Sequence, residues 1–165
     1  MLVETPLYDY RQYPLHASGS AFARAREDAV WRIVSEIGGD NRYYAMNGLW
    51  AIREWLDSAV GGPGQRRGRP VGRPIKTGDR IDSWQVRIAD APVLLALEFG
   101  MKAPGRGVLE FRITPMASGI QLTATAFWEP RGIAGQLYWV AMMPAHLVLF
   151  KRLTTEICRR AECLT

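Results

Sequence analysis

Residues 134–160 read AGQLYWVAMMPAHLVLFKRLTTEICRR, and Trp139, Met143, His146, Phe150, Leu153 and Ile157 step through them by threes and fours. That spacing predicts a long helix with one continuous apolar stripe. Pro144 interrupts it. An interior proline removes one backbone hydrogen bond, so a bend is expected there. Such a stripe needs an apolar surface to cover, and the preceding sequence supplies one.

Four stretches before this helix have strand composition: 81–88, 92–101, 107–114 and 120–128. Short turns separate them, including Asp90-Ala91-Pro92 and Ala103-Pro104-Gly105. These are too short for crossover helices, so the strands should form an antiparallel meander. Within VLEFRIT (108–114), Leu109, Phe111 and Ile113 point one way and Val108, Glu110 and Arg112 the other. One face should therefore be core, and the other wet or lining something polar.

Upstream, 13–18 suits a short first strand, and a helix is expected from Ser20 onward. Val30, Ile33, Val34 and Ile37 recur at helical spacing until Gly38-Gly39. A second helix is expected over 45–60, with Leu49, Ile52, Leu56 and Val60 on one face and Gly61-Gly62-Pro63-Gly64 as its stop. Residues 1–12 read as an arm lying on the body. The order is strand, two helices, a run of strands and a long helix, which is an α+β layout. At 165 residues the chain fits a single domain, 1–165.

The composition is globular, 48% hydrophobic and 22% charged, with six Trp, six Tyr and five Phe to bury. The formal charge of +5 is concentrated in one segment, 63–80: six cations (Arg66, Arg67, Arg69, Arg73, Lys76, Arg80) against Asp79 leave a surplus of five. This basic Arg/Gly/Pro loop suits either a solvated loop or attraction to an anionic group or partner. Nucleic acid is disfavoured as the ligand, because the arginines sit in one loop without interleaved aromatics. Cys158 and Cys163 are five apart and form neither a disulfide framework nor, lacking a His cluster, a zinc site; no metal is expected. These features suit a reducing cytoplasm. The N-terminus lacks the pattern of a signal peptide. The apolar stretch 137–150, about 14 residues, falls short of the ~20 that span a bilayer.

The strings IGGDNRYYAMNGLWAIREWLDSAVGGPGQRRGRP (37–70), GDRIDSWQV (78–86), LEFGMKAPGRGVLEFRI (97–113) and LTATAFWEPRGIAGQLYWVAMMPAH (122–146) together resemble the bacterial domain-of-unknown-function 2867 family. That family is similar in outline to the START-like, or SRPBCC, superfamily. The resemblance implies a helix-grip fold: a curved antiparallel sheet wrapped around a long C-terminal helix, with a small helical segment over the cavity mouth. Superfamily members bind lipids, polyketides, hormones or quinones in between. The resemblance also implies, as a partner, a separate NAD(P)-binding reductase. Relatives often have Gly-Trp where this chain has Asn41-Arg42, and an aromatic where it has Ser83; both changes would reshape a pocket rim.

His146 lies mid-stripe on the last helix, where an imidazole either meets a bound molecule and shuttles a proton or is a core histidine tied to a carbonyl. Glu98 and Glu110 are the candidate acids or bases to accompany it. Equally, Glu98 with Lys102 and Glu110 with Arg112 suit a cross-strand charge ladder on a solvated face. Tyr43, Tyr44 and Trp50 fall at or beside the second helix, where the resemblance places the cavity mouth. Trp84, Trp128 and Trp139 suit core packing as well as a ligand wall. The ligand-binding set is then Tyr43, Tyr44, Trp50, Trp84, Trp139, Met143, His146 and Phe150. The sequence has no dinucleotide fingerprint, Walker loop or nucleophile elbow, and no cofactor is assigned. Three functions remain open: a module binding a small hydrophobic ligand (lipid, quinone or polyketide-like), a cyclase, hydratase or isomerase using His146 and a carboxylate, and an accessory module of a separate reductase.

Overall fold

The computed structural model describes residues 9–38, 68–100 and 102–164. The expected second helix, with Tyr43, Tyr44, Trp50, Arg66 and Arg67, lies outside the described residues. A short 3-10 turn, Asp9–Gln12, leads into β1 (Leu15–Ala23), α1 (Glu27–Ser35), β2 (Arg80–Ile81), β3 (Trp84–Asp90), β4 (Leu94–Phe99), β5 (Gly105–Met116), β6 (Gly119–Pro130) and α2 (Gly132–Glu162). The six strands form one sheet, ordered β1-β6-β5-β4-β3-β2, and every neighbouring pair is antiparallel.

The first strand is longer than its sequence suggests, and the helix after it starts later. β1 pairs with β6 without interruption from Leu15↔Trp128 to Ala23↔Ile120. Ser20, expected to open a helix, is thus mid-strand. The helix opens only at Glu27 and Asp28, whose charges suit the positive end of its dipole.

Paired residues share a face, so the register sorts the sheet. Leu97, Leu109 and Ala126 line the inner face, as do Leu95, Phe111 and Ala124. Together with Leu149, Phe150, Leu153 and Ile157 of α2 they build the main core. A register shift at Arg87 breaks the alternation of β3: Val86 joins this core, while Ile88 joins a second cluster on the other face.

That outer face is not simply wet. Tyr10 and Tyr13 lie on Ile88, Leu94, Ala96 and Val108 and cover it. The N-terminal arm is therefore a second apolar layer.

The helix approaches the sheet through glycine at two points. A Cβ on Gly19 would lie 2.6 Å from the Lys151 backbone N, and one on Gly135 would lie 2.2 Å from the Pro104 carbonyl O. Along β1, Lys151 Nζ donates to the Ser20 carbonyl (2.8 Å) and the Arg24 N–H donates to Glu162 Oε1 (2.8 Å). α2 continues as one 31-residue helix through Pro144, which sits on the solvent side, where water can reach the carbonyl left without a donor. By length and composition alone α2 is apolar enough to cross a membrane, unlike the shorter stretch read from sequence; in this fold it is the core helix.

Candidate functional site

The inner face and α2 do not close completely. Between them lies a cavity of about 60 Å³, lined by Trp84, Phe99, Gly107, Leu109, Ala126 and Trp128 from the sheet and by Tyr138, Trp139, Met142, Ala145, His146, Leu149 and Phe150 from the helix. Val108 and Phe127 complete the wall.

Aromatic contacts fix this wall. Trp84 meets Phe99 edge-on (ring centroids 5.5 Å apart), Phe99 meets Trp128 (6.2 Å), and Trp128 tilts against Tyr138 (5.3 Å). Trp128 Nε1 donates to the Gly135 carbonyl (3.2 Å), so this indole has its polar atom satisfied by the helix start. Room for the ring comes from β5: a Cβ at Gly105 would lie 2.6 Å from the indole, and one at Gly107 3.0 Å. On the helix, His146 stacks on Phe150 (5.3 Å, 19° between planes) and tilts against Trp139 (4.9 Å). The imidazole is thus held between two aromatic rings with an edge on the cavity.

Of the residues expected to bind a ligand, Trp84, Trp139, His146 and Phe150 line the cavity; Tyr43, Tyr44 and Trp50 lie outside the described residues. Met143 does not line it. That residue packs against the core, and its neighbour Met142 faces the space. Phe99, Trp128 and Tyr138 complete the aromatic wall. Of these, Trp128 was weighed as core or wall from the sequence, and Gly105 and Gly107 leave the space its indole needs.

The two candidate carboxylates do not converge with His146. Glu110 shares its face with Ala96 and Thr125, opposite the cavity. It is buried beneath the arm, where it accepts from Tyr10 Oη (2.5 Å), Arg11 Nε (3.0 Å) and Arg112 Nε (3.2 Å). Burial first, then the Glu110 carboxylate, raises the Tyr10 phenol well above its ordinary range. Glu98 is also on the outer face, within 3.6 Å of Arg87 and of Arg106. Arg87 in turn donates to Asp9 (2.5 Å). Glu98 thus joins β4 to β3 and β5 in a cross-strand charge ladder, Glu110 pairs with Arg112 as strand parity suggested, and Asp9, Tyr10 and Arg11 tie the arm to this face.

The described part of the basic segment, 68–80, is largely exposed, as a solvated loop would be, yet two of its arginines are anchored. Arg69 donates to the Ser35 carbonyl (2.8 Å) and the Ile37 carbonyl (3.2 Å) at the end of α1. Arg73 grips Asp79 through two hydrogen bonds (2.8 and 2.7 Å) and, with the Lys76 N–H, holds that carboxyl near a pKa of about 2. Asp82, in the left-handed region at φ 53°, accepts from the Gly68 N–H (2.9 Å). Among the described residues, no three His, Cys, Asp or Glu side chains gather as a metal site.

A six-stranded antiparallel sheet closed by one long C-terminal helix is the helix-grip architecture of START-like, SRPBCC proteins. The fold is similar to that of TTHA0849 from Thermus thermophilus, with a TM-score of 0.51 at 11% identity over 92% of this chain and 99% of that one. It is equally similar to protein NE0264 from Nitrosomonas europaea, with a TM-score of 0.50 at 11% identity over 92% and 96% of the two chains. The di-domain ARO/CYC protein StfQ of the steffimycin biosynthetic pathway matches with a TM-score of 0.50 at 12% identity, over 94% of this chain and 51% of StfQ. At such identities the likeness shows the fold alone. In sequence, residues 6–153 match the family described as protein of unknown function DUF2867, and the chain belongs to that family. No curated protein matches it.

Proposed function

We propose that this chain binds a small, flat, apolar molecule in the cavity between the inner sheet face and α2. One observation carries the reading: the cavity wall is aromatic and aliphatic, with His146 and Tyr138 as its titratable groups and no carboxylate among the described lining residues. Such a wall supplies desolvation and ring contact and leaves little for chemistry. The cyclase, hydratase or isomerase alternative asks for a carboxylate beside His146, and Glu98 and Glu110 lie on the far side of the sheet. At about 60 Å³ the cavity exceeds what one water needs yet falls well below the ~300–1,000 Å³ of a drug-sized pocket. The ligand it admits unchanged is about one ring or a short alkyl segment. A quinone head or one ring of a polyketide-like compound fits this class, in keeping with the ARO/CYC designation of StfQ.

Titration with toluene, a one-ring apolar probe, followed by calorimetry and tryptophan fluorescence, tests the reading. Wild type should bind saturably with one site, and Ala145→Phe, which places a ring in the cavity, should weaken binding at least tenfold with the melting temperature retained. Equal binding by the two proteins would remove the cavity as the site.

A further inference from the structure

The helix that walls the cavity has a second apolar face, turned to solvent. Ile133, Leu137, Val140 and Leu147 are 76%, 64%, 66% and 64% exposed, and Pro144 lies exposed among them. They follow one another at four, three, four and three residues, so they form a single ridge. From Gly132 to Phe150 the helix has no charged residue, and its first acid is Glu156. Exposed cations bracket the ridge: Arg131 at one end, Lys151 and Arg152 at the other.

We propose that this ridge docks on the head-group region of an anionic lipid bilayer, with the helix lying flat and Arg131, Lys151 and Arg152 on the lipid phosphates. A membrane surface offers apolar depth beneath a negative layer, which is the complement of an apolar ridge with cationic ends. A second copy of the chain is a poorer occupant. Ile133 to Leu147 spans roughly 21 Å of helix, and a single ridge of that length offers less than the ~800 Å² per partner of a stable interface. Antiparallel pairing about the middle of the ridge would also set Arg131 against Arg152 of the other copy, and parallel pairing would set Lys151 against Lys151. Either way cations meet cations. The ridge lies on the side of α2 away from the cavity, so this inference stands or falls separately from the binding proposal.

Vesicle flotation at low salt tests it, using phosphatidylcholine vesicles with and without about one quarter phosphatidylglycerol. Wild type should float with the anionic vesicles and much less with the neutral ones. Leu137→Glu with Val140→Glu should lower binding at least tenfold. Arg131→Gln with Arg152→Gln should lower binding to anionic vesicles on the order of tenfold. These residues are exposed, so far-UV circular dichroism and the melting temperature should stay near wild type; the milder Leu137→Gln serves if the double glutamate variant does not fold. Three results would overturn the proposal: wild type that stays with the soluble fraction, a glutamate pair that floats like wild type, or a wild-type dimer in sedimentation velocity that the glutamate pair converts to monomer.

Discussion

Trp128 stands directly opposite Gly107 in the β5–β6 register, and its indole occupies the space that a Gly107 side chain would take. The same ring tilts on Tyr138 and donates to Gly135, so one residue couples β5, β6 and the start of α2 at the cavity wall. Gly107→Val would have to displace it. Overpacking of this kind costs about 1–3 kcal/mol, which urea denaturation would read, and near-ultraviolet dichroism should change because the indole environment does. A valine tolerated with both unchanged would show that Trp128 is not held by this contact.

Gly19 makes a stiffer demand, because the opposing atoms are backbone. A Cβ there would lie 2.6 Å from Lys151 N and 2.7 Å from Phe150 C. Gly19→Ala should therefore shift the helix off β1 and destabilise by about 2 kcal/mol or more. Gly68→Ala, with open space around it, should stay within about 0.5 kcal/mol of wild type. Equal melting temperatures for the two variants would refute the close approach.

Much of this fold was legible beforehand, because periodicity records which side of an element is apolar. Leu109, Phe111 and Ile113 alternate, and Trp139, Phe150, Leu153 and Ile157 step at helical spacing; all face the core. Periodicity does not say what lies across the gap. Glu110 and Val108 were correctly set apart from Leu109, yet nothing local announces that Tyr10, a hundred positions earlier, covers them. Within the helix, the cavity borders the track of Tyr138, Met142, Ala145 and Leu149 beside the centre of the stripe. A one-step rotation therefore exchanged Met143 for Met142. At Ser20, the small residues of β1 carry no strand signal of their own, and their pairing with β6 overrides the local preference.

The clasp on the outer face predicts a measurable coupling. Glu110 is 5% exposed, and Tyr10 fully buried, so the 2.5 Å hydrogen bond between them is shielded from water. Tyr10→Phe and Glu110→Gln should each destabilise by about 1–3 kcal/mol, and the double variant by less than their sum, with a coupling of about 1 kcal/mol. Strict additivity in denaturant titrations would mean that the two groups hold the arm independently.

Acid should loosen the end of α2. Arg159 and Arg160 hydrogen-bond Glu156 and hold its pKa at about 2, down from 4.5. A depressed carboxylate stabilises the folded state above its unfolded pKa, and that contribution fades as pH falls from about 4.5 to about 2. Because both arginines are largely exposed, the effect is less than ~1 kcal/mol. Melting curves of wild type and Glu156→Gln should differ most near neutrality and converge only as pH falls to ~2; a gap that widens in acid would reverse the assigned sign.

The two thiols give a direct reading of how firmly α2 sits on β1. Cys158 is buried against the Ala21 carbonyl, and burial, aided by the nearby Glu162 carboxylate, pushes its pKa up to about 11. Cys163 is exposed. Since the thiolate is the reactive form, a disulfide reagent at pH ~8 should modify Cys163 promptly and Cys158 at least a hundredfold more slowly. Denaturant should bring the two rates together. Gly19→Ala, which levers the helix from the strand, should selectively speed Cys158. Equal rates in the native wild type would mean that the C-terminal turns of α2 open readily, and that the strand does not hold the helix as its contacts indicate.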